Sequence, residues 1–283
     1  MALILGSIIV IACVLGGYVL AHGEIMALWQ PLEMLIIFGA ALGAFIISNP
    51  MHTIKETFGG VMRLLTGSPF NKAFYMDLLS LLYDVFDKSR KQGVMAIEED
   101  IDNPGESQIF TRYPAVMKSE HLLAFMTDYL RIISSGNMAP HELEGLMETE
   151  LDNREHELLE PSHALSKVSD ALPGLGIVAA VLGIVITMGS LGGPPELIGL
   201  HVAAALVGTF MGIWAAYGFV GPASTAMEHQ AQYELRAYAC AKAAIIATVS
   251  GQAPQMAIEF GRKALPSDKR PGFQELNDHV RSK

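Results

Sequence analysis

Apolar residues along this chain gather into four runs separated by segments with a very different pattern. Ala2 to Ala21 and Leu32 to Ser48 form an early pair, and residues 172–191 and 198–220 form a later one. About 20 apolar or small residues make roughly 30 Å of helix, the hydrocarbon thickness of a bilayer, so each run predicts a membrane span; the second is short but within range. Residues 50–169 instead alternate polar and apolar positions at helical spacing, as does the tail from 223 to 283. No strand pattern interrupts them. The predicted fold is an all-α membrane protein with four transmembrane helices in two hairpins, 1–49 and 170–222, and a cytoplasmic helical bundle.

Within the bundle, Ser68-Pro69 reads as an N-cap and first helical residue. Phe74, Leu78, Leu81, Leu82 and Val85 then share one face up to Gly93, a C-cap signal. A short helix carrying Ile97 and Ile101 stops at Asn103-Pro104, and a third runs from about Ser119 to Gly136. A fourth starts at Pro140, passes Leu143, Met147 and Leu151, and leads straight into the third apolar run. In the tail, Met227 to Val249 is helical, with Gly251 and Pro254 as breakers and two shorter helical pieces around Pro266 and Pro271.

Small residues recur every fourth position in the later hairpin: Gly176 and Ala180; Ala179, Gly183 and Thr187; Ala204, Gly208, Gly212 and Ala216. Lipid tails are as apolar as leucine, so membrane helices associate by close backbone approach, and such stripes mark packing faces. Gly16-Gly17 and Gly39-xxx-Gly43 repeat the pattern in the first hairpin. These stripes are more than one hairpin can satisfy, which implies further helices from copies or a partner.

Charge sharpens the topology. Lys and Arg are absent from residues 1–49 and 170–222, and all 19 lie in the two remaining blocks. The positive-inside rule puts those blocks, and with them both termini, in the cytoplasm, and the short turns His22–Pro31 and Leu191–Leu197 outside. Val19-Leu20-Ala21 loosely suggests a signal cleavage site, but no basic segment precedes the run and it is too long, so it reads as a span. The net charge of −10 and the acidic larger block exclude a phosphate-binding surface, hence nucleic acid. Cys13 and Cys240, one in a span and one in the tail, form no disulfide pattern and read as small core residues.

Enzyme signatures are missing: the chain contains no GxxxxGK[ST], HExxH, CxxC or GxSxG. The histidines are scattered singly, so no metal or cofactor is expected. A carboxyl at membrane depth costs about 2.5–3.5 kcal/mol or more and is kept only for use. The interiors of the four runs hold no such group on this reading: Glu33 and His201 sit near outer ends and Asp170 at an inner end. Hydroxyls remain at depth, chiefly Thr187, Thr209 and Tyr217. The ordinary reading of Thr209 is a bond back to its own i−4 carbonyl. Pro173 and Pro222 read as a kink and a helix end. If this chain moves ions, a partner brings the carboxylate.

Lys88, Arg90 and Lys91 close one helix and Glu98, Glu99 and Asp100 open the next, each sign suiting its helix dipole by about 0.3–1 kcal/mol. Capping explains their signs. A charge-patterned docking surface also needs both signs gathered in one exposed segment.

The run Ala205-Leu206-Val207-Gly208-Thr209-Phe210-Met211-Gly212-Ile213 followed by Pro222 resembles the signature of the flagellar motor stator A subunits, the MotA family. The likeness extends through LWQPLEMLIIFGA, YMDLLSLLYDVFDKSR, IEEDIDNP, SDALPGLGIVAAVLG and AIEFGRK, nearly the whole chain. It implies a pentamer of four-span chains around a dimer of a MotB-like single-span partner, which carries the proton-accepting aspartate, in the bacterial inner membrane. It further implies Arg90 and Glu98 as charges facing the rotor protein FliG, Ala180 and Thr209 as residues lining the ion pathway, and Pro173 and Pro222 as prolines shaping the helices beside it. Sodium-driven relatives tend to carry a hydroxyl at the position of Ala180, so the resemblance favours protons. An energising subunit similar to ExbB or TolQ is the alternative; those have three spans and an external N-terminus.

Overall fold

The computed structural model describes residues 2–136, 138–189, 192 and 194–281. The described chain is helical, without strands. In order, α1 spans Ala2–Leu20, α2 Pro31–Ser48, α3 Met51–Thr66, α4 Lys72–Gln92, α5 Glu98–Asp102, α6 Pro114–Met117, α7 Glu120–Ser135, α8 Pro140–Gly189, α9 Pro195–Ala215, α10 Gly221–Val249, α11 Pro254–Ala264 and α12 Phe273–Arg281. Four helical stretches among the described residues are long and apolar enough to cross a membrane: Leu3–Leu20, Ile25–Ser48, part of Pro140–Gly189 and part of Ile198–Val249. The turn expected at 191–197 lies partly outside the described residues, Leu191 and Gly193 among them.

The chain divides into two compact units, Met1–Gly67 with Leu158–His229, and Ser68–Glu157 with Gln230–Lys283. These limits differ from the hairpin limits read from hydropathy at 49, 169 and 222, because α8 and α10 run on as helix past both ends of the apolar stretch.

In the first unit, α2 packs along α8 and α9 through Ile37, Ala41, Leu172, Ala179 and Ala216. The unit also holds α3, which the sequence pattern did not announce. Its inner face carries Thr53, Thr57, Gly60 and Leu64, while Met51, Phe58, Met62 and Leu65 are exposed. Thr53 Oγ1 donates to Glu160 Oε1 at 2.9 Å, and Gly60 is open enough to seat the Met227 side chain. An amphipathic helix with exposed apolar residues beside Lys55 and Arg63 suits a membrane–water boundary. At Gly16, Gly17 and Gly43, expected at packing faces, an added Cβ would meet nothing within 4 Å. Cys13 is exposed, a correction to its reading as a core residue: on a span, a small apolar side chain needs no protein around it.

The second unit is a helical bundle with one apolar core. Phe74, Leu78, Leu82, Phe86, Phe125 and Tyr238 are among its most buried members. Its α4 begins at Lys72 rather than at Pro69. Asn71 is the cap, its Oδ1 accepting from the Phe74 N–H at 3.0 Å, whereas Ser68 Oγ accepts from the Phe70 N–H in a preceding turn. Gly93 leaves α4 at φ 89° and Gly136 leaves α7 at φ 76°, conformations that favour glycine, as their C-cap reading required. Cys240 is fully buried, and Gly261 lets α11 approach the Cys240 carbonyl, 2.8 Å from where a Cβ would stand.

Candidate functional site: a glycine seam and a charged turn

Two places bring the sequence-derived candidates together, one in each unit. The first is the seam between α8 and α9. A Cβ on Gly176 would stand 3.0 Å from the Gly208 carbonyl oxygen and 3.3 Å from the Cα atoms of Thr209 and Gly212. One on Gly212 would stand 2.6 Å from the Leu172 carbonyl oxygen, and one on Gly183 3.0 Å from Ala205 Cβ. The fourfold spacing in the sequence thus becomes backbone-to-backbone contact along both helices, which dispersion alone rewards in lipid. Ala180 joins the seam, its backbone nitrogen 3.6 Å from the Cβ position of Gly208. Ala180 and Thr209 therefore share one stretch of it.

The two threonines at depth behave differently. Thr187 Oγ1 bonds back to the Gly183 carbonyl at 2.8 Å, while Thr209 makes no side-chain hydrogen bond among the described residues. The back-bond expected at Thr209 is absent, so its hydroxyl is free to serve another group.

Pro173 lies inside α8, which continues unbroken to Gly189. Pro222 was read as a helix end; the structure corrects this. The helix widens into a π turn over Ala216–Val220 and resumes as α10, with Pro222 in its first turn. A proline cannot donate to the carbonyl four residues back, and the wider turn accommodates that loss. The Gly221 N–H reaches the Ala216 carbonyl, which also accepts from Ser169 Oγ at 3.0 Å. A Cβ on Gly221 would lie 3.1 Å from both oxygens, so a larger residue there presses on this hydrogen-bonded junction. Ser169, one turn before Pro173, thereby ties the proline-bearing part of α8 to the π turn. No sequence pattern marks Ser169; only the adjacent Gly-Pro at 221–222 hints at the irregularity.

Glu33 is also placed differently from its reading at an outer mouth. Its Cγ lies 3.7 Å from the Cβ position of Gly208, well along α9, because α2 begins beside the middle of that helix.

The second place is the turn between α4 and α5. Here the structure sorts six charges that the sequence could only group. Lys88 Nζ meets Asp100 Oδ2 at 2.6 Å, with side chains 30% and 11% exposed, and Ser107 Oγ donates to Asp100 Oδ1 at 2.6 Å. The Ser107 oxygen in turn accepts from the Ile109 N–H, so this carboxylate anchors the loop after α5. Lys91 pairs with Asp87 at 2.7 Å, and that partner holds its ammonium above the usual lysine range. Arg90 is exposed and Glu98 half-buried, and neither makes an ion pair or hydrogen bond among the described residues. Asp84, Asp87, Lys88, Lys91, Glu99 and Arg112 line a polar cleft of about 700 Å³ beside them. Among the described residues no cluster of three or more His, Cys, Asp or Glu side chains could hold a metal ion.

A membrane-embedded helical subunit whose glycine seam carries polar groups at depth is the architecture of a channel-forming subunit, and residues 117–240 match the MotA/TolQ/ExbB proton channel family. Residues 4–93 match the motility protein A N-terminal family. The chain belongs to the motility protein A family: it is 44% identical to motility protein A of Salmonella typhimurium over 282 residues, all of this chain and 96% of that one. Chemotaxis protein LafT of Vibrio parahaemolyticus is 43% identical over 96% of this chain and 95% of its own. The fold is shared with a chain of the Campylobacter jejuni MotAB structure, at a TM-score of 0.77, 18% identity and coverage of 94% and 96%. A chain of the flagellar MotAB stator complex from Bacillus subtilis aligns at a TM-score of 0.73 and 21% identity, with the same coverage.

Proposed function

We propose that this stator subunit conducts protons only together with a MotB-like single-span partner and converts the flow into torque on the rotor protein FliG. The free Thr209 hydroxyl beside Ala180, on a seam with no room for side chains, carries the reading. It offers a hydrogen-bonding group at depth to a partner's carboxylate but accepts no proton charge itself. Seam glycines leave the other faces of α8 and α9 apolar and exposed, with Ile177, Val181, Ile184, Val185 and Leu206 available to lipid, to further copies of this chain in a ring of five, and to the partner. The blocks rich in Lys and Arg lie on the cytoplasmic side of the inner membrane, as do both termini. Arg90 and Glu98, left unpaired while Lys88, Lys91 and Asp100 are held in ion pairs, face the rotor. Ser169 and the π turn beside Pro173 and Pro222 form the adaptable joint through which events at the seam reach the helices that continue from it.

Docking is tested by charge exchange in a motile strain. Reversal of either charge, Arg90→Glu or Glu98→Lys, impairs swimming more than neutralisation, since each exposed contact is worth about 0–1 kcal/mol. A compensating reversal in the rotor restores motility to the Arg90→Glu stator and impairs the unmodified one. Failure of every rotor reversal to rescue a stator present at normal level refutes the docking role.

A further inference from the structure

Glu33 is a titratable group that the structure brings beside the candidate pathway. It lies in the first turn of α2 and is half-buried. The Cβ position of Gly208 lies 3.7 Å from Glu33 Cγ, 3.2 Å from Ala179 Cβ and 3.6 Å from the Ala180 nitrogen. Glu33, Ala180 and the Gly208-Thr209 pair therefore converge on one region. At about 1.5 Å per residue, that region is roughly 20 Å along the helix from Pro195 and roughly 18 Å short of Val220. It falls in the middle of the apolar stretch.

Structural roles do not account for the residue. Glu33 caps no backbone N–H and makes no hydrogen bond or ion pair among the described residues. Its place in the first turn suits the helix dipole, which offsets only part of the cost of a carboxylate at this depth. Gly208 keeps the space beside it open, since any side chain there would meet both Glu33 and Ala179.

We propose that Glu33 is a second protonatable station on the ion route, exchanging protons between the outer water and the Ala180–Thr209 region. As a carboxylate it takes a proton from water, forming one O–H bond and becoming neutral. It then releases that proton to water or to the partner's carboxylate and regains its charge, so each passage transfers one proton and leaves the side chain unchanged. This rests on the proton-conducting reading above.

The test uses the complete chain, assembled with a MotB-like partner in liposomes, with a potassium–valinomycin potential and an internal pH dye. Glu33→Gln keeps shape and polarity but cannot hold a proton charge, and its flux falls about tenfold, the effect of a barrier about 1.4 kcal/mol higher. Glu33→Asp retains flux within about twofold, and both variants assemble with the partner at normal level. In parallel, dicyclohexylcarbodiimide, which attacks carboxylic acids protonated in apolar surroundings, modifies Glu33 in the unmodified complex, read by peptide mass spectrometry. Unchanged flux in Glu33→Gln, or no modification at Glu33, overturns the proposal. If the unmodified complex carries no proton current, the conducting reading fails instead, and the labelling result alone decides whether Glu33 exchanges protons at depth.

Discussion

Replacing Lys88 by methionine separates structural charge from docking charge at the α4–α5 turn. Methionine keeps an apolar stem of similar reach, so the change removes mainly the ammonium. Asp100 then retains only the Ser107 hydroxyl, in a site where its side chain is 11% exposed. Breaking a fully buried pair costs about 3–5 kcal/mol and an exposed one about 0–1 kcal/mol. The intermediate exposure of this pair places the cost at about 1.5–3 kcal/mol by the same comparison. Arg90, two residues away, has no partner to lose; Arg90→Ala forfeits the dipole contribution and costs less than about 1 kcal/mol. For a chain of this size 1 kcal/mol moves a thermal midpoint by about 2–4 °C. Far-UV circular dichroism of the detergent-solubilised protein therefore shows a shift of about 3–12 °C for Lys88→Met and under about 4 °C for Arg90→Ala. Motility separates them further, because Arg90→Glu impairs swimming more than its loss of about 1–2 kcal/mol against the helix dipole accounts for, with the protein present at normal level, while Lys88→Met acts through stability. Equal midpoint losses in the two variants would refute the division of these charges into anchoring and free ones.

At the seam, Gly212→Ala forces a methyl to within 2.6 Å of the Leu172 carbonyl oxygen, and the overpacking costs about 1–3 kcal/mol. Gly174→Ala, whose Cβ would meet nothing within 4 Å, is neutral or slightly stabilising in the same thermal assay; an equal loss in both would contradict the seam. In the second unit, burial and a 2.8 Å bond to Asp84 raise the Tyr113 hydroxyl above the usual phenol range, and burial pushes Tyr238 up to about 12. A raised folded value means stability fully present below the unfolded value of about 10 and lost as pH rises through the folded one. Helical signal accordingly falls above pH about 10. Tyr113→Phe lowers the neutral-pH midpoint by the worth of that bond, about 1–2 kcal/mol, and makes the alkaline loss shallower; an unaltered alkaline profile would contradict this.

Hydropathy made the four spans legible because a bilayer imposes one length and one composition on them. Amphipathic spacing with glycine caps revealed α4 and α7 for a similar reason: Gly93 and Gly136 do adopt positive φ. The continuity of α8 through Pro161 and Pro173 was legible as an uninterrupted helical pattern. What escaped the sequence depended on partners distant along it. The helix α3 was obscured because its inner face is built from threonine and glycine, whose burial depends on Glu160, Pro161 and Met227. Asn71 outcompeted Ser68 as cap through geometry that composition does not encode. Glu33 looked peripheral because its distance from the start of its own run says nothing of where α2 starts against α9. The small-residue stripes announced the seam, but only contact geometry showed that Thr187 spends its hydroxyl on its own helix and Thr209 does not.

The central claim is conduction that depends on a partner. Proton uptake should be measured in liposomes under an imposed potential with this chain alone, with a MotB-like partner, and with that partner's membrane aspartate changed to asparagine. The account predicts background uptake for the first and third preparations and a clear current for the second alone. A substantial current from the chain by itself, or one that survives loss of the partner's aspartate, would contradict it.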